Sequence, residues 1–438
     1  MSSDQLNFSK PTNQEWLQKI EADLKGKPIE SLRSQTRSGI PIEPIYSRES
    51  ISDNLGTPGQ APYTHGSKRD GNPWFVNQAI QVETGKEEEA NEKALRILNA
   101  GVDSLSYAGN WTNLESLVKG INIQYIEFNI TCESKVQFEQ ITKWISEKAI
   151  ENWNGCIFSS NEYALPLAKE IQQNPLLKTH VICGSNYHNK GANSISEIAC
   201  VLSEAHEQLL LLLENDISLD SATAKLAVEL ASGPDYFEEM AKFRAIRILW
   251  STIVAEYKPE YNCSHSVWIK GTTSSFHQAK TDLNTNLLRS TTQAMSAILG
   301  GANTVEVKAF NSVDESNEFG ERIARNVQLL AKEESLFDKV SDPAAGSYYI
   351  DHLTEQIVER AWKLFQSIEK QGGWMKATRN GFIAHLLQND LKTQIEQLNS
   401  GETTMIGVNA FINKQENSPS SKQGEHLVNF YDAKKEAK

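Results

Sequence analysis

The chain has 438 residues and a mass of 49.0 kDa, and its 43 basic and 56 acidic residues give a net charge of −13. Such an acidic chain repels phosphate backbones and anionic lipid surfaces, which disfavours nucleic-acid and membrane-surface binding. Mean hydropathy is −0.46, and no apolar run approaches the roughly 18 residues that span a bilayer. The N-terminus lacks a secretory pattern, and the five widely spaced cysteines argue against a disulfide framework or structural zinc. We therefore expect a cytoplasmic globular protein.

The first 62 residues are expected to form an arm with little core of its own. Residues 13–25 have the spacing of an amphipathic helix, whose apolar face is formed by Trp16, Leu17, Ile20 and Leu24. Glycines and prolines then interrupt the chain up to residue 62, which favours an extended segment. Such a segment lies across another surface, either its own domain or a partner's. The predicted units are an arm over 1–62, a barrel over 63–412 and a polar, flexible tail over 413–438.

Between the arm and the tail, short β-branched runs alternate with longer helical patterns, as in βα units with buried parallel strands. The predicted strands cover 102–107, 123–130, 156–160, 180–184, 225–230, 265–270, 304–310 and 347–350. The predicted helices cover 87–100, 134–150, 162–173, 195–213, 236–257, 283–299, 316–334 and 353–371. Eight βα units indicate the α/β class and a (β/α)₈ TIM barrel, with a doubly wound open sheet as the alternative.

Candidate site residues follow from the barrel, because its active sites lie in the loops at the carboxyl ends of the strands. His188 follows the strand predicted at 180–184, and an imidazole there suits acid–base chemistry. The alternative is a histidine that makes only local hydrogen bonds. Lys270 and Lys308 would suit Schiff-base chemistry in a desolvated pocket. Otherwise they are solvated or paired lysines, Lys308 with Glu306.

The sequence has no metal-binding or nucleotide-binding motif that would complete a site. It contains no His-Glu-x-x-His, no Cys-x-x-Cys, no Gly-x-Gly-x-x-Gly after a strand and no P-loop. Taken alone, the residues predict a barrel without a convincing catalytic set.

Motifs along nearly the whole chain resemble the methylmalonyl-CoA mutase family. The most specific are ERIARNVQLL at 321–330 and DPAAGSYY at 342–349. Other similar segments lie at 26–28, 39–47, 56–66, 72–74, 240–250, 282–295 and 406–409. The resemblance runs from Trp16 to Phe411 and implies the same (β/α)₈ barrel, with the first strand entered after Trp74.

The positions that carry catalysis in that family differ in this chain. Asn77 and Ala79 replace the arginine and the tyrosine of an Arg-Gln-Tyr motif. Thr272 replaces the substrate-facing glutamine of a Cys-Gln-Thr-Ser-Gly-Trp motif, and residues 305–309 replace a Leu-His-Thr-Asn-Ala motif. His188 alone matches a family active-site residue. The resemblance therefore implies a degenerate site, with no catalytic, cofactor-binding or metal-binding residues in this chain.

The family binds cobalamin through a C-terminal flavodoxin-like domain with an Asp-x-His-x-x-Gly motif, whose histidine coordinates cobalt. This sequence has no such motif, and about 25 residues follow the predicted barrel, so we expect no such domain. The resemblance implies the small, non-catalytic (beta) subunit of a bacterial heterodimeric enzyme that interconverts (R)-methylmalonyl-CoA and succinyl-CoA. Its partner would be the large catalytic subunit, which would carry adenosylcobalamin and be wrapped by the arm.

Two other interpretations stay open from the sequence. The chain could be the barrel of another acyl-CoA mutase that works with a separate cobalamin-binding chain, with His188 as its main polar site residue. It could also be a regulatory or scaffold homologue that binds a GTPase or a mutase-related protein. Acyl-CoA binding by the isolated chain would favour the first. Failure to copurify with a large subunit would favour the second.

Overall fold

The computed structural model describes residues 12–50, 56–148, 153–313 and 316–412. Parallel strands pair with their neighbours in chain order, and the last strand pairs with the first through Thr304 and Phe75. This closes a barrel of eight strands. They are β1 (Phe75–Val82), β2 (Ser104–Gly109), β3 (Glu127–Cys132), β4 (Gly155–Ser159), β5 (Leu177–Lys178 and His180–Cys183), β6 (Leu226–Ser232), β7 (Trp268–Thr273) and β8 (Thr304–Glu306).

Strand β5 is interrupted at Thr179 by a bulge. The part before Thr179 pairs with β4, and the part after it pairs with β6. The backbone N–H groups of Thr179 and His180 both donate to the carbonyl oxygen of Lys225, at 3.1 and 3.0 Å. Two residues opposite one is the pattern of a β-bulge, which bends a strand locally. The bend allows β5 to pair with both of its neighbours and thus completes the barrel.

Helices cover the outside of the barrel. Within the described residues, no helix is long and apolar enough to cross a bilayer. The long helix α9 packs against α7, α10 and α12, and most of its residues are buried. The helices are α1 (Asn13–Asp23), α2 (Glu87–Leu98), α3 (Leu114–Leu117), α4 (Lys135–Lys148), α5 (Asn161–Glu170), α6 (Gly184–His188), α7 (Ser194–Glu214), α8 (Leu219–Ala224), α9 (Tyr236–Glu256), α10 (Thr285–Leu299), α11 (Glu318–Leu329, continued by a π-turn, Leu330–Glu334), α12 (Tyr348–Lys370), α13 (Trp374–Arg379) and α14 (Phe382–Ser400).

A buried cluster of charged side chains connects α9 to the segment before β1 and to the segment after β8. Arg244 on α9 donates to Asp342 at 2.9 Å and to Asp351 at 2.6 Å. His65, in the segment that follows the arm and precedes β1, lies 2.6 Å from the same Asp342 carboxylate. The first residue of the DPAAGSYY motif therefore has a structural role, because it joins this segment to α9.

The predicted (β/α)₈ class is confirmed, but one predicted strand is wrong. Segment 347–350 does not form a strand; it begins α12, where Ser347 Oγ accepts a hydrogen bond from the backbone N–H of Ile350. Strand β1 was absent from the strands predicted by periodicity, and the resemblance alone placed a strand after Trp74. The doubly wound open sheet is also wrong, because β8 pairs with β1.

The arm contains an exposed helix. Helix α1 begins with a capping box, in which Thr12 and Glu15 each bind the other's backbone N–H. No residue of α1 is buried. On the predicted apolar face Leu17 is exposed, whereas Trp16, Ile20 and Leu24 are half-buried, and the use of this face against a partner stays a prediction.

The hairpin of the arm packs onto the barrel of the same chain. A short antiparallel hairpin pairs Ser34–Gln35 with Pro41–Ile42. Ile40 is fully buried, and Arg360 on α12 donates to the carbonyl oxygen of Gly39 at 2.9 Å. The hairpin is thus part of this chain's own fold. The predicted tail, 413–438, lies outside the described residues, and the part of the chain described after the barrel contains helices but no flavodoxin-like sheet.

Candidate functional site

The interior of the barrel is polar on the side of β1 to β3. Asn77 donates to Ser104 at 2.7 Å and to Ser106 at 2.9 Å. Glu127 accepts from Ser104 at 2.5 Å and from Thr304 at 2.7 Å. Barrel interiors are usually filled by branched apolar residues, whereas here a buried hydrogen-bonded set fills the space. The amide of Asn77 is used within this set.

A buried ion-pair cluster fills the interior on the side of β6 to β8. Lys270 lies 2.6 Å from Glu306 and 3.2 Å from Glu229, and Glu306 also pairs with half-buried Lys308. Burial acts to lower the pKa of Lys270, but Glu306 and Glu229 outweigh it and raise that pKa above its ordinary value. Lys270 is therefore held as a cation. These contacts favour the paired-lysine alternative for Lys270, because Schiff-base chemistry needs a neutral amine.

His188 lies at the carboxyl end of the barrel, as predicted, but it is buried. It ends the short helix α6, which directly follows β5. Its Nε2 atom is 2.7 Å from Ser274 Oγ, and its Nδ1 atom is 3.5 Å from Glu197 Oε2. His277 joins the same group, with Nδ1 at 3.0 Å from Ser274 Oγ. Both ring nitrogens of His188 thus face protein groups.

Buried charged side chains around Glu197 hold its carboxylate in place. Lys242 on α9 lies 2.8 Å from Glu197 and 2.6 Å from Glu239, and all three side chains are buried. Burial acts to raise the pKa of Glu197, but Lys242 and His188 outweigh it and lower that pKa. Burial raises the pKa of Glu239, against the effect of Lys242. Glu197 is therefore a fixed anion beside His188.

The contacts of His188 resemble a Ser–His–acid triad, with Ser274 on one ring nitrogen and Glu197 near the other. These residues do not form a working triad. Ser274 is fully buried, so its hydroxyl is not open to a substrate. Glu197 is held by Lys242 as well as by His188. A catalytic serine must be exposed where a reacting atom can lie about 3 Å away. These contacts hold together the elements at the barrel mouth, and Ser274 is not accessible as a nucleophile.

The three positions that the resemblance marks as substituted, Asn77, Ala79 and Thr272, lie in the barrel and offer no evident catalytic group. Asn77 and Ala79 have the same parity on β1, so they share its inward face. Ala79 is exposed, and its methyl group can neither donate nor accept a hydrogen bond. Thr272 on β7 is buried, and its Oγ1 atom has no hydrogen-bond partner among the described residues. The mouth therefore has an open position at Ala79 and an unused hydroxyl at Thr272.

Sequence reasoning identified His188 but missed Ser274, Glu197, Lys242 and His277 around it. The spacing of Lys242 three residues after Glu239 is a local signal for an ion pair on a helix. The other contacts join residues that are far apart in the chain, such as His188 and Ser274, and leave no periodic signal. Only the folded barrel brings them together.

Comparison with known proteins identifies the family. The family model for methylmalonyl-CoA mutase matches residues 35–114 and 165–432. The chain is 34% identical over 456 aligned residues to the methylmalonyl-CoA mutase small subunit of Porphyromonas gingivalis, covering 96% of this chain and 74% of the relative. It is 28% identical to the methylmalonyl-CoA mutase of Cereibacter sphaeroides, covering 90% of this chain, and 27% identical to that of Escherichia coli, covering 91%. The chain spans 64% of the length of each of these two relatives.

The matched ranges include most of the barrel. The first contains β1 and β2, with Asn77 and Ala79, and the second contains β5 to β8, with His188 and Thr272. Strands β3 and β4 lie between the matched ranges and complete the same closed sheet. Fold, family model and the 34% identity agree, and the chain belongs to the methylmalonyl-CoA mutase family.

Proposed function

We propose that this chain is the small subunit of an adenosylcobalamin-dependent methylmalonyl-CoA mutase. It supports a large catalytic subunit that interconverts (R)-methylmalonyl-CoA and succinyl-CoA in the cytoplasm, and the two chains form a heterodimer. The similarity to a small subunit over 96% of the chain supports this assignment. The proposal assigns the radical chemistry and the cofactor to the partner.

The observation that carries the non-catalytic role is the state of the barrel mouth. Ala79 has no hydroxyl or ring with which to position a substrate, and the Asn77 amide is bonded to Ser104 and Ser106. His188 is buried against Ser274 and Glu197. Rate enhancement requires groups held within about 3–3.5 Å of the reacting atoms. The described mouth supplies no such accessible set.

The residues at the mouth do not fit a cobalamin ligand. The two imidazoles there, His188 and His277, are both buried and both contact Ser274. The proposal therefore assigns cobalamin binding to the partner chain.

Native mass spectrometry of the tagged chain, recovered from its own cytosol at low salt, tests the proposal. We expect a one-to-one complex with a larger chain that carries cobalamin. A homo-oligomer or free monomer without cobalamin would favour a regulatory or scaffold role. Turnover of methylmalonyl-CoA by the isolated chain with adenosylcobalamin would show that the non-catalytic assignment is wrong.

A further inference from the structure

A cavity of about 390 Å³ lies beside the barrel mouth, and of the group formed by His188, Ser274 and His277 only His277 lines it. Its walls come from α10, α14, the segment 403–406 and the tip of the arm hairpin. Pro234 and His277, which follow the carboxyl ends of β6 and β7, form its inner side. A volume of this size is in the range of small-molecule sites, which are mostly apolar with a few placed polar groups.

The lining of the cavity combines an apolar surface with one available cation. Leu288, Leu398, Met405 and Ile406 supply most of the apolar surface. Arg37, at the hairpin tip, reaches the same space, and its guanidinium makes no hydrogen bond or ion pair with any described side chain. A half-buried cation without a direct partner favours an anion beside it.

The second arginine of the cavity is already occupied. Arg289 donates to Asn286 Oδ1 at 2.7 Å and also to the carbonyl oxygen of Ile406. It therefore holds the wall segment near residue 406 in place. A ligand in the cavity would meet a single free guanidinium, which suits one carboxylate rather than two.

Carboxylates near Arg37 do not fill this role. Asp235, Glu238 and Glu239 lie close enough to favour its charge, but none of them lines the cavity. Burial acts to lower the pKa of Arg37, and these three carboxylates oppose that effect. Arg37 is thus kept charged from one side while its donors stay available to the cavity.

His277 supplies a neutral polar group at the inner side. Its Nδ1 atom is engaged by Ser274 Oγ at 3.0 Å. Burial lowers the pKa of His277 well below its ordinary value. The imidazole is therefore neutral at neutral pH and can donate or accept one hydrogen bond.

We propose that this cavity binds an aliphatic monocarboxylate, with its carboxylate on Arg37 and its chain against Leu398 and Met405. The site is separate from the degenerate catalytic positions, and the inference does not depend on the proposed function. A bound acid would contact the arm hairpin through Arg37 and the barrel mouth through His277 at the same time.

Isothermal titration of the 438-residue chain with hexanoate tests the site, with 1-hexanol as the uncharged probe of equal chain length. We expect saturable binding of hexanoate and at least tenfold weaker binding of the alcohol. Arg37→Met should weaken hexanoate binding at least tenfold. Arg379→Met, which removes an exposed arginine on α13, is the matched control and should leave it unchanged.

A second variant separates binding from docking of the hairpin. Leu288 is 65% exposed on α10, so Leu288→Glu adds a carboxylate at the rim without disturbing the core. It should weaken hexanoate binding by charge repulsion while the unfolding midpoint stays constant. Absence of saturable binding, equal affinity for acid and alcohol, or an Arg37→Met variant that binds like the parent would each overturn the proposal.

Discussion

Individual buried side chains set how the stability of this chain depends on pH, and Glu204 on α7 is a clear case. It accepts a hydrogen bond from Tyr187 at 2.5 Å, and Trp374 donates to the same phenol oxygen at 2.7 Å. Burial raises the pKa of Glu204 from 4.5 to about 6, against the effect of the Tyr187 hydrogen bond. The folded chain therefore retains a proton between pH 4.5 and 6 that the unfolded chain releases.

The sign of this effect is unfavourable to the folded state as pH rises. The free energy of unfolding should fall by about 2 kcal/mol in total from this group as pH rises from well below 4.5 to well above 6. Glu204→Gln keeps an acceptor for Tyr187 and removes the titration. Urea unfolding at pH 4.5 and pH 7 should show that the variant gains about 2 kcal/mol relative to the parent between the two. Parallel pH curves would show that Glu204 does not titrate in this way.

His188 shows that residue identity does not carry a role by itself. The resemblance predicts that His188 is a retained family position, and its imidazole does lie at the barrel mouth. Its surroundings, however, are Ser274 on one nitrogen and the Glu197–Lys242 pair near the other. A general base must reach the proton of a substrate, and a ring enclosed in this way does not.

At the scale of elements, the segment before β1 is anchored by its backbone. Asn72 N–H donates to the carbonyl oxygen of Asp338 at 2.7 Å, and Gly71 N–H donates to Ser341 Oγ at 3.2 Å. Gly71 has a φ of +81°, and a Cβ there would lie 2.4 Å from the Asp338 carbonyl oxygen. Only glycine allows this approach, which fixes where β1 enters the barrel.

Gly71→Ala should destabilise the chain more than Gly85→Ala. Both glycines have a φ of +81°, but a Cβ at Gly85 would meet no atom within 4 Å. The left-handed backbone costs about 1–2 kcal/mol in either variant. The contact with Asp338 adds about 1–3 kcal/mol at Gly71 alone. Urea unfolding of both variants measures the difference, and equal losses would show that the approach is not tight.

The sequence predicted most elements because buried parallel strands and amphipathic helices leave periodic patterns. Strand β1 escaped this test because Asn77 and Gln81 alternate with Val76 and Ile80, which is unlike a continuous apolar run. Segment 347–350 was mistaken for a strand because aromatic and β-branched residues favour strands, whereas Ser347 caps a helix there. The contact between His188 and Ser274 could not be predicted, because the two residues are far apart in the chain.

For the whole molecule, α1 is the element most suited to meet a second chain. Leu17 is 41% exposed on its apolar face, and no residue of the helix is buried. Leu17→Glu should weaken binding of the large subunit about tenfold, because burying one leucine contributes about 1.5–3 kcal/mol. Stability of the isolated chain should not change. Titration calorimetry of the parent and the variant with the large subunit measures the change.

The matched control for Leu17→Glu is Lys19→Gln. Lys19 lies on the same helix in an exposed pair with Asp23, at 2.9 Å. Exposed pairs of this kind contribute about 0–1 kcal/mol, so this change should leave binding of the large subunit nearly intact. If Leu17→Glu binds as tightly as the parent, α1 does not lie in the interface.

The ion pairs inside the barrel restrict which substitutions its interior tolerates. Lys270 is buried between Glu229 and Glu306, so replacing Lys270 leaves Glu229 without its ion-pair partner. Such a loss costs about 3–5 kcal/mol, a large part of the 5–15 kcal/mol that a whole domain has. A variant that opens this interior by replacing Lys270 alone would therefore be expected to be barely stable. Lys270 and its two carboxylate partners are therefore expected to tolerate replacement only together.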